Sequence, residues 1–194
     1  MNILILNGSP KGEKSVTLKV AKAFVKGINP AGEHKEDYIN VKDLSIHHCI
    51  GCFACWTISP GKCSIDDDMT PLLEKYMSAD IVIWSFPLYC FGMPSLIKAV
   101  LDRTLPTLQP ELVRRSDGGY THETRYDGSE KRTALISTCG FSSIVNNYEA
   151  LTRQFEILYR GGFAKIYCPE SGLRKDILSR ERSSQCAGAE RTYQ

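Results

Sequence analysis

Residues 1–17 read Met1-Asn2-Ile3-Leu4-Ile5-Leu6-Asn7-Gly8-Ser9-Pro10-Lys11-Gly12-Glu13-Lys14-Ser15-Val16-Thr17, and the change of character after Leu6 decides the fold. Ile3, Leu4, Ile5 and Leu6 are consecutive apolar residues, the pattern of a strand covered on both faces in a parallel sheet. Asn7-Gly8-Ser9-Pro10 ends it: Gly8 tolerates unusual backbone angles, and Pro10 fixes its own φ and removes a donor. From Ser9 to Thr17 the chain is small and polar, with Lys11, Ser15 and Thr17 offering one cation and two hydroxyls. A helix follows, so its unpaired N–H groups and positive dipole end face whatever the loop holds. A dianionic phosphate fits that description.

Two common phosphate loops are excluded. The G-x-x-x-x-G-K-[ST] loop fails because Gly8 and Gly12 are too close and Glu13 stands where the lysine should follow. The G-x-G-x-x-G fingerprint fails because position 10 is proline. What is left is also the pattern of an ordinary strand–turn–helix corner, so the rest of the chain has to decide.

With 194 residues, one domain with a sizeable core is expected. A formal charge of +2 sets up no strong field, so neither nucleic acid nor a membrane surface is indicated as a partner. No apolar run reaches the roughly eighteen residues of a membrane span, and Met1 opens a strand rather than a charged leader, so the expected location is cytoplasmic. Eight cysteines are then notable: disulfides are disfavoured in a reducing compartment, which moves the weight to metal, cluster or redox use.

Further along, apolar periodicity predicts a helix over 16–28, with Val16, Val20, Phe24 and Ile28 inward. A polar edge strand follows at about 37–41, then a cysteine-rich loop over 45–66. A second helix starts near Asp68, its N-cap, with Leu72, Leu73, Tyr76 and Met77 inward. The run Ile81-Val82-Ile83-Trp84 marks a central strand, and a third helix begins around Pro94. Residues 132–137 form the next strand, 146–159 a helix burying Leu151, Phe155 and Leu158, and 163–168 the last strand. Five strands alternating with four helices predict an α/β fold, a doubly wound parallel sheet with helices on both faces. The segment 105–131 reads as a long turn-rich excursion: a lid, a partner contact or a solvated loop. The tail 171–194 is polar and signals a fifth helix only weakly.

Three loops at strand C-terminal ends carry small, polar or flat residues: 8–17, 87–92 and 138–141. Ligands of open α/β sheets sit at that end. The first loop, Ser85-Phe86-Pro87-Leu88-Tyr89 with Gly92-x-Pro94, and Ser137-Thr138-Cys139-Gly140-Phe141 together resemble the three flavin loops of the NADPH-dependent FMN reductase family, which is flavodoxin-like with strand order 2-1-3-4-5. The resemblance covers about 1–170 and implies an FMN-binding domain there. Lys11 replaces the usual arginine, keeping the charge without the bidentate fork, and Val16 stands where asparagine is common.

The resemblance also implies the site. Ser9, Lys11, Ser15, Val16 and Thr17 would hold the phosphate; Pro87, Leu88, Tyr89, Cys90, Phe91 and Gly92 would run along the flavin; Thr138, Cys139, Gly140 and Phe141 would close the other side. Backbone N–H groups at 89–92 and 139–141 are expected to face the ring. It implies NAD(P)H as co-substrate, hydride transfer with no catalytic side chain, and a small-molecule or protein electron acceptor whose identity stays open. A homodimer or higher homo-oligomer is implied too, since the family's flavin sites are completed by a neighbouring subunit. Flavodoxin shuttles are usually acidic, and this slightly basic chain fits that role less well. His47, His48 and His122 read as surface or packing residues.

One motif goes beyond the flavin. Cys49-x-x-Cys52-x-x-Cys55, followed by Cys63, brings thiols together at steps suited to cluster binding, with Gly51 permitting close backbone approach. The spacing resembles that of the iron–sulfur flavoproteins, which pass electrons between FMN and an iron–sulfur (4Fe-4S) cluster. Four thiolates also suit zinc. The run Cys52-Phe53-Ala54-Cys55-Trp56, then Cys63-Ser64-Ile65-Asp66-Asp67-Asp68-Met69, equally resembles clusterless reductases. Cluster, zinc and reduced loop stay open. Cys90 and Cys139 read as small packing residues, Cys168 as the end of a buried strand, and Cys186 as a thiol in the polar tail.

Overall fold

The computed structural model describes residues 1–28, 33–126, 131–160 and 162–171. Its centre is a five-stranded parallel sheet made of β1 (Asn2–Asn7), β2 (Lys35–Asn40), β3 (Ile81–Pro87), β6 (Arg132–Thr138) and β7 (Ala164–Cys168) in the order β2-β1-β3-β6-β7. Counting only these five, the order is the expected 2-1-3-4-5. β1, β3 and β6 are buried almost throughout because their side chains face helices on both sides. β2 is half-exposed, as an edge strand.

Alternation along the strands splits the core in two. Leu4, Leu6, Val82, Trp84, Phe86 and Leu135 face α3 (Met69–Ser78), α4 (Ser95–Asp102) and α5 (Glu149–Leu158). Ile3, Ile5, Ile81, Ile83, Ala134 and Ile136 face α1 (Val16–Ile28). The buried line of α1 is Thr17, Leu18, Ala21 and Val25. Val20, Phe24 and Ile28 flank it half-buried, so the helix is turned about a quarter from the periodicity-based face. Thr17 is the reason: its hydroxyl is drawn inward to a partner on β6. In α5, Leu151 and Phe155 are buried but Leu158, in the last turn, is 45% exposed, against expectation.

The excursion at 105–131 is not structureless. After a short turn at Leu105–Thr107, β4 (Leu108–Arg114) and β5 (Tyr120–Thr124) form an antiparallel hairpin, with an irregularity between Leu108 and Leu112. It packs on a short helix of the cysteine-rich loop, α2 (Ala54–Thr57). Trp56 donates its indole N–H to the Leu105 carbonyl at 3.1 Å and meets His122 ring to ring at 4.6 Å. Cys186 and the expected polar tail, apart from Ser171, lie outside the described residues.

Candidate functional site

The loop after β1 is shaped by side chains. Asn7, fully buried, donates to the Gly12 carbonyl at 3.0 Å and to Asn40 Oδ1 at 2.8 Å, and its Oδ1 accepts from Ser9 N–H at 3.2 Å. Asn40 in turn donates to Glu13, which also pairs with Lys22 at 2.8 Å; the Lys22 bond and then Asn40 lower the Glu13 pKa. Asn7 went unnoticed in the sequence. Its signal was an asparagine ending each of two adjacent strands, and Asn7 and Asn40 stand in register. Gly8 is required by space rather than backbone angle: a Cβ there would lie 2.5 Å from Ile97 Cβ on α4.

At the start of α1, Ser15 acts as the cap: its Oγ accepts from Leu18 N–H and its carbonyl from Lys19 N–H, both at 3.3 Å. The N–H groups of Val16 and Thr17 have no acceptor among the described residues. Thr17 Oγ1 lies 2.6 Å from Thr138 Oγ1, joining the first loop to the third. Two hydroxyls carry two protons and that bond uses one, which leaves one for a ligand.

In the second loop, Leu88 is buried and donates its N–H to the Thr138 carbonyl at 2.8 Å. Tyr89 and Gly92 exchange both backbone bonds around a turn whose central residues, Cys90 and Phe91, have φ of 48° and 59°. That is the left-handed region, costly for residues with a Cβ, and such strain collects at functional sites. Cys90 is exposed there rather than packed. Phe91 stacks on Phe141 of the third loop, centroids 5.9 Å apart and planes 11° from parallel.

The third loop is fastened to the segment after β7. Cys139 N–H donates to the Cys168 carbonyl (3.0 Å), Ser171 N–H to the Cys139 carbonyl (2.8 Å) and Glu170 N–H to the Phe141 carbonyl (2.8 Å). The three loops enclose one open cleft of about 160 Å³. Ser9, Lys11, Ser15, Val16 and Thr17 line its first side and Pro87, Leu88 and Tyr89 its second, with Thr138, Cys139 and Gly140 on the third. Cys90, Phe91, Gly92 and Phe141 stand outside this lining, and Ser171, unforeseen, joins it. The expected set of backbone donors is also reduced. Tyr89, Gly92 and Cys139 spend theirs on carbonyls, while Cys90, Phe91, Gly140 and Phe141 have no acceptor among the described residues.

A second site lies in the cysteine-rich loop. Gly51 (φ 66°) and Phe53 (φ 54°) curl the backbone so that Cys49, Cys52, Cys55 and Cys63 line a single cavity with Arg103. The Ser64 hydroxyl, 3.4 Å from the Cys52 sulfur, pulls that thiol's pKa down; burial, then Cys63, pushes Cys55 up. The seven described cysteines form no disulfide.

Arg103 and Asp67, 1% and 3% exposed, are paired through two bonds of 2.9 Å. Burial opposes the arginine's charge, but Asp67 and the neighbouring Cys63 outweigh it and raise its pKa. Among the described residues, no three His, Cys, Asp or Glu are spaced for a single metal ion. Four cysteines lining one cavity are the donor type that an iron–sulfur cluster uses, so the residues present fit that group by their chemistry.

Doubly wound sheet, capped first helix and three-loop cleft define a flavodoxin-like protein. The sequence profile of the family described as a flavodoxin-like fold matches residues 1–159, and the chain belongs to that family. It is 32% identical over 121 residues to an iron–sulfur flavoprotein of Methanocaldococcus jannaschii, covering 61% of this chain and 60% of that one. It is 29% identical over 112 residues to an FMN-dependent NADH:quinone oxidoreductase of Nostoc punctiforme, covering 53% and 54%. The matches thus span little more than half the length of these curated relatives. An FMN-dependent NADH-azoreductase of Bacillus anthracis, solved in complex with FMN, superposes with a TM-score of 0.65 at 16% identity, covering 91% of this chain and 90% of that one.

Proposed function

We propose that the chain is an FMN-dependent NAD(P)H oxidoreductase, with residues 1–170 as its FMN-binding domain and 171–194 as a tail. The observation that carries this reading is the convergence of three separate loops on one cleft beside a capped helix N-terminus with two unpaired N–H groups. Lys11, the one cation lining that cleft, has no ion-pair partner among the described residues. FMN held in this cleft would supply hydride acceptance from the nicotinamide and electron transfer to an acceptor. The chain's part is placement: Val16 and Thr17 N–H, the spare hydroxyl proton and Lys11 receive the phosphate, and Leu88 and Tyr89 flank the ring. Relatives named for quinone and azo reduction make a small aromatic acceptor the leading class.

The proposal is tested by binding and turnover. Ser15→Ala with Thr17→Ala should weaken FMN about tenfold or more, ~1.4 kcal/mol, while riboflavin affinity barely moves. Equal losses for both ligands would remove the phosphate site. Steady-state oxidation of NADPH and NADH by FMN-loaded protein tests the reaction itself.

A homo-oligomer belongs to the same proposal, because Leu112 and Tyr120 of the hairpin stay 66% and 62% exposed. Monomer in sedimentation at micromolar concentration, with full activity, would overturn it. No helix among the described residues is long and apolar enough to cross a membrane, and a cytoplasmic location is part of the proposal. A second reading, an iron–sulfur flavoprotein, is favoured by the four thiols around one cavity. A 4Fe-4S cluster there would supply one-electron exchange.

A further inference from the structure

Arg103 is committed to the cysteine-rich loop from both ends. Its Nη1 donates to the His47 carbonyl at 2.8 Å and its Nη2 to the Ile65 carbonyl at 3.2 Å, in addition to the two Asp67 bonds. His47 precedes Cys49 and Ile65 follows Cys63, so one guanidinium pins the entry and exit of the loop that carries all four thiols. Four of its five N–H groups are thereby accounted for. The fifth, Nε–H, is buried and makes no hydrogen bond of ordinary geometry, although Cys63 is near enough to raise the guanidinium's pKa. A buried unpaired donor on a charged group is costly, and native proteins rarely leave one idle.

Arg103 lines the same cavity as the four cysteines. We propose that Arg103 is the positioning and charge partner of a metal centre held by Cys49, Cys52, Cys55 and Cys63, its Nε–H donating to the Cys63 sulfur. The inference rests on the iron–sulfur reading and adds a residue and a role that the cysteine motif does not contain. A cluster on four thiolates is anionic, and gaining an electron makes it more so. A fixed cation with an N–H aimed at one sulfur stabilises the reduced state more than the oxidised one. It therefore raises the reduction potential, as hydrogen bonds to cluster sulfurs do. Asp67 holds the fork in place but offsets only part of the effect, because its carboxylate lies on the Nη side, away from Nε.

The test uses the whole chain, reconstituted anaerobically with iron and sulfide, as wild type, as Arg103→Lys and as the double variant Arg103→Met/Asp67→Leu. The lysine keeps the cation but lacks Nε–H; the double variant replaces the whole buried pair with apolar groups, a change such sites often tolerate. Far-UV circular dichroism and FMN binding report folding. Wild type should take up about four irons and four sulfides. A dithionite titration followed in the visible should then give it a higher midpoint potential than either variant, while the flavin potential stays unchanged in all three. Clusters of equal potential in wild type and both folded variants would overturn the role of Arg103 and leave the iron–sulfur reading standing. A wild-type chain that takes up neither iron nor sulfide would overturn that reading and this inference together.

Discussion

Replacing Asp67 by alanine tests the buried ion pair directly. The carboxylate is 3% exposed and accepts from both Arg103 terminal nitrogens at 2.9 Å, from His47 N–H at 2.8 Å and from Met69 N–H at 3.0 Å. Its removal strands a guanidinium that is itself 1% exposed. Breaking a buried pair from one side costs about 3–5 kcal/mol, since the remaining charge stays desolvated. At about 1.4 kcal/mol per decade, the folded-to-unfolded ratio should fall by roughly two to four powers of ten. For a chain of this length the melting temperature should drop by about 6–20 °C. Urea unfolding followed by far-UV circular dichroism measures the loss. Asp43→Ala, which breaks an exposed pair with Lys42, should leave the midpoint unmoved. A loss for Asp67→Ala below about 1 kcal/mol, the range of surface pairs, would refute the claim that the site is dry and the pair clamps the loop.

The same carboxylate predicts a pH dependence. Burial alone would raise its pKa, but Arg103, then the His47 and Met69 N–H groups, hold it well below the usual carboxylate range. The stabilisation is therefore complete above the unfolded value near ~4 and is lost as pH falls from there; urea midpoints from pH 7 to 3 should show the decline, and Asp67→Ala should flatten it. Gly8→Ala should cost about 1–3 kcal/mol and weaken FMN, because α4 must move away from the new methyl group; unchanged thermal stability would contradict the close approach to Ile97. Cys90→Asn should raise the unfolding free energy, read from urea titration, by up to about 1 kcal/mol, since asparagine tolerates the positive φ better; no gain would mean the turn stores no strain.

Much of the fold was legible because β1 and β3 are near-continuous apolar runs, and three strands end in loops of small, polar or flat residues. The hairpin at 108–124 was not, since β4 and β5 are polar, largely exposed on both faces and irregular in register, leaving no period for pattern reading to catch. The facing of α1 failed for a related reason: Thr17 turns inward for a hydroxyl bond to Thr138, a tertiary demand that hydrophobic periodicity does not encode. In the cleft, the side chains on strand ends were readable, but which backbone donors remain free depends on carbonyls far along the chain. Arg103 was invisible. A single arginine after a helix says nothing about a carboxylate 36 residues earlier or thiols before that.

The fastening of 139–141 to 168–171 has a consequence for the order in which the protein comes into being. The loop that would meet the phosphate leaves the ribosome roughly ten to thirty seconds before the segment bonded behind the third loop, at ordinary elongation rates. The Thr17–Thr138 bond already spans 121 positions, and the tie to Ser171 lies further on still. A growing chain can therefore assemble β1, β3 and their helices and yet have no finished cleft. A ligand that needs all three loops would therefore have to wait for β7 and the residues bonded behind the third loop, however early the first loop is made.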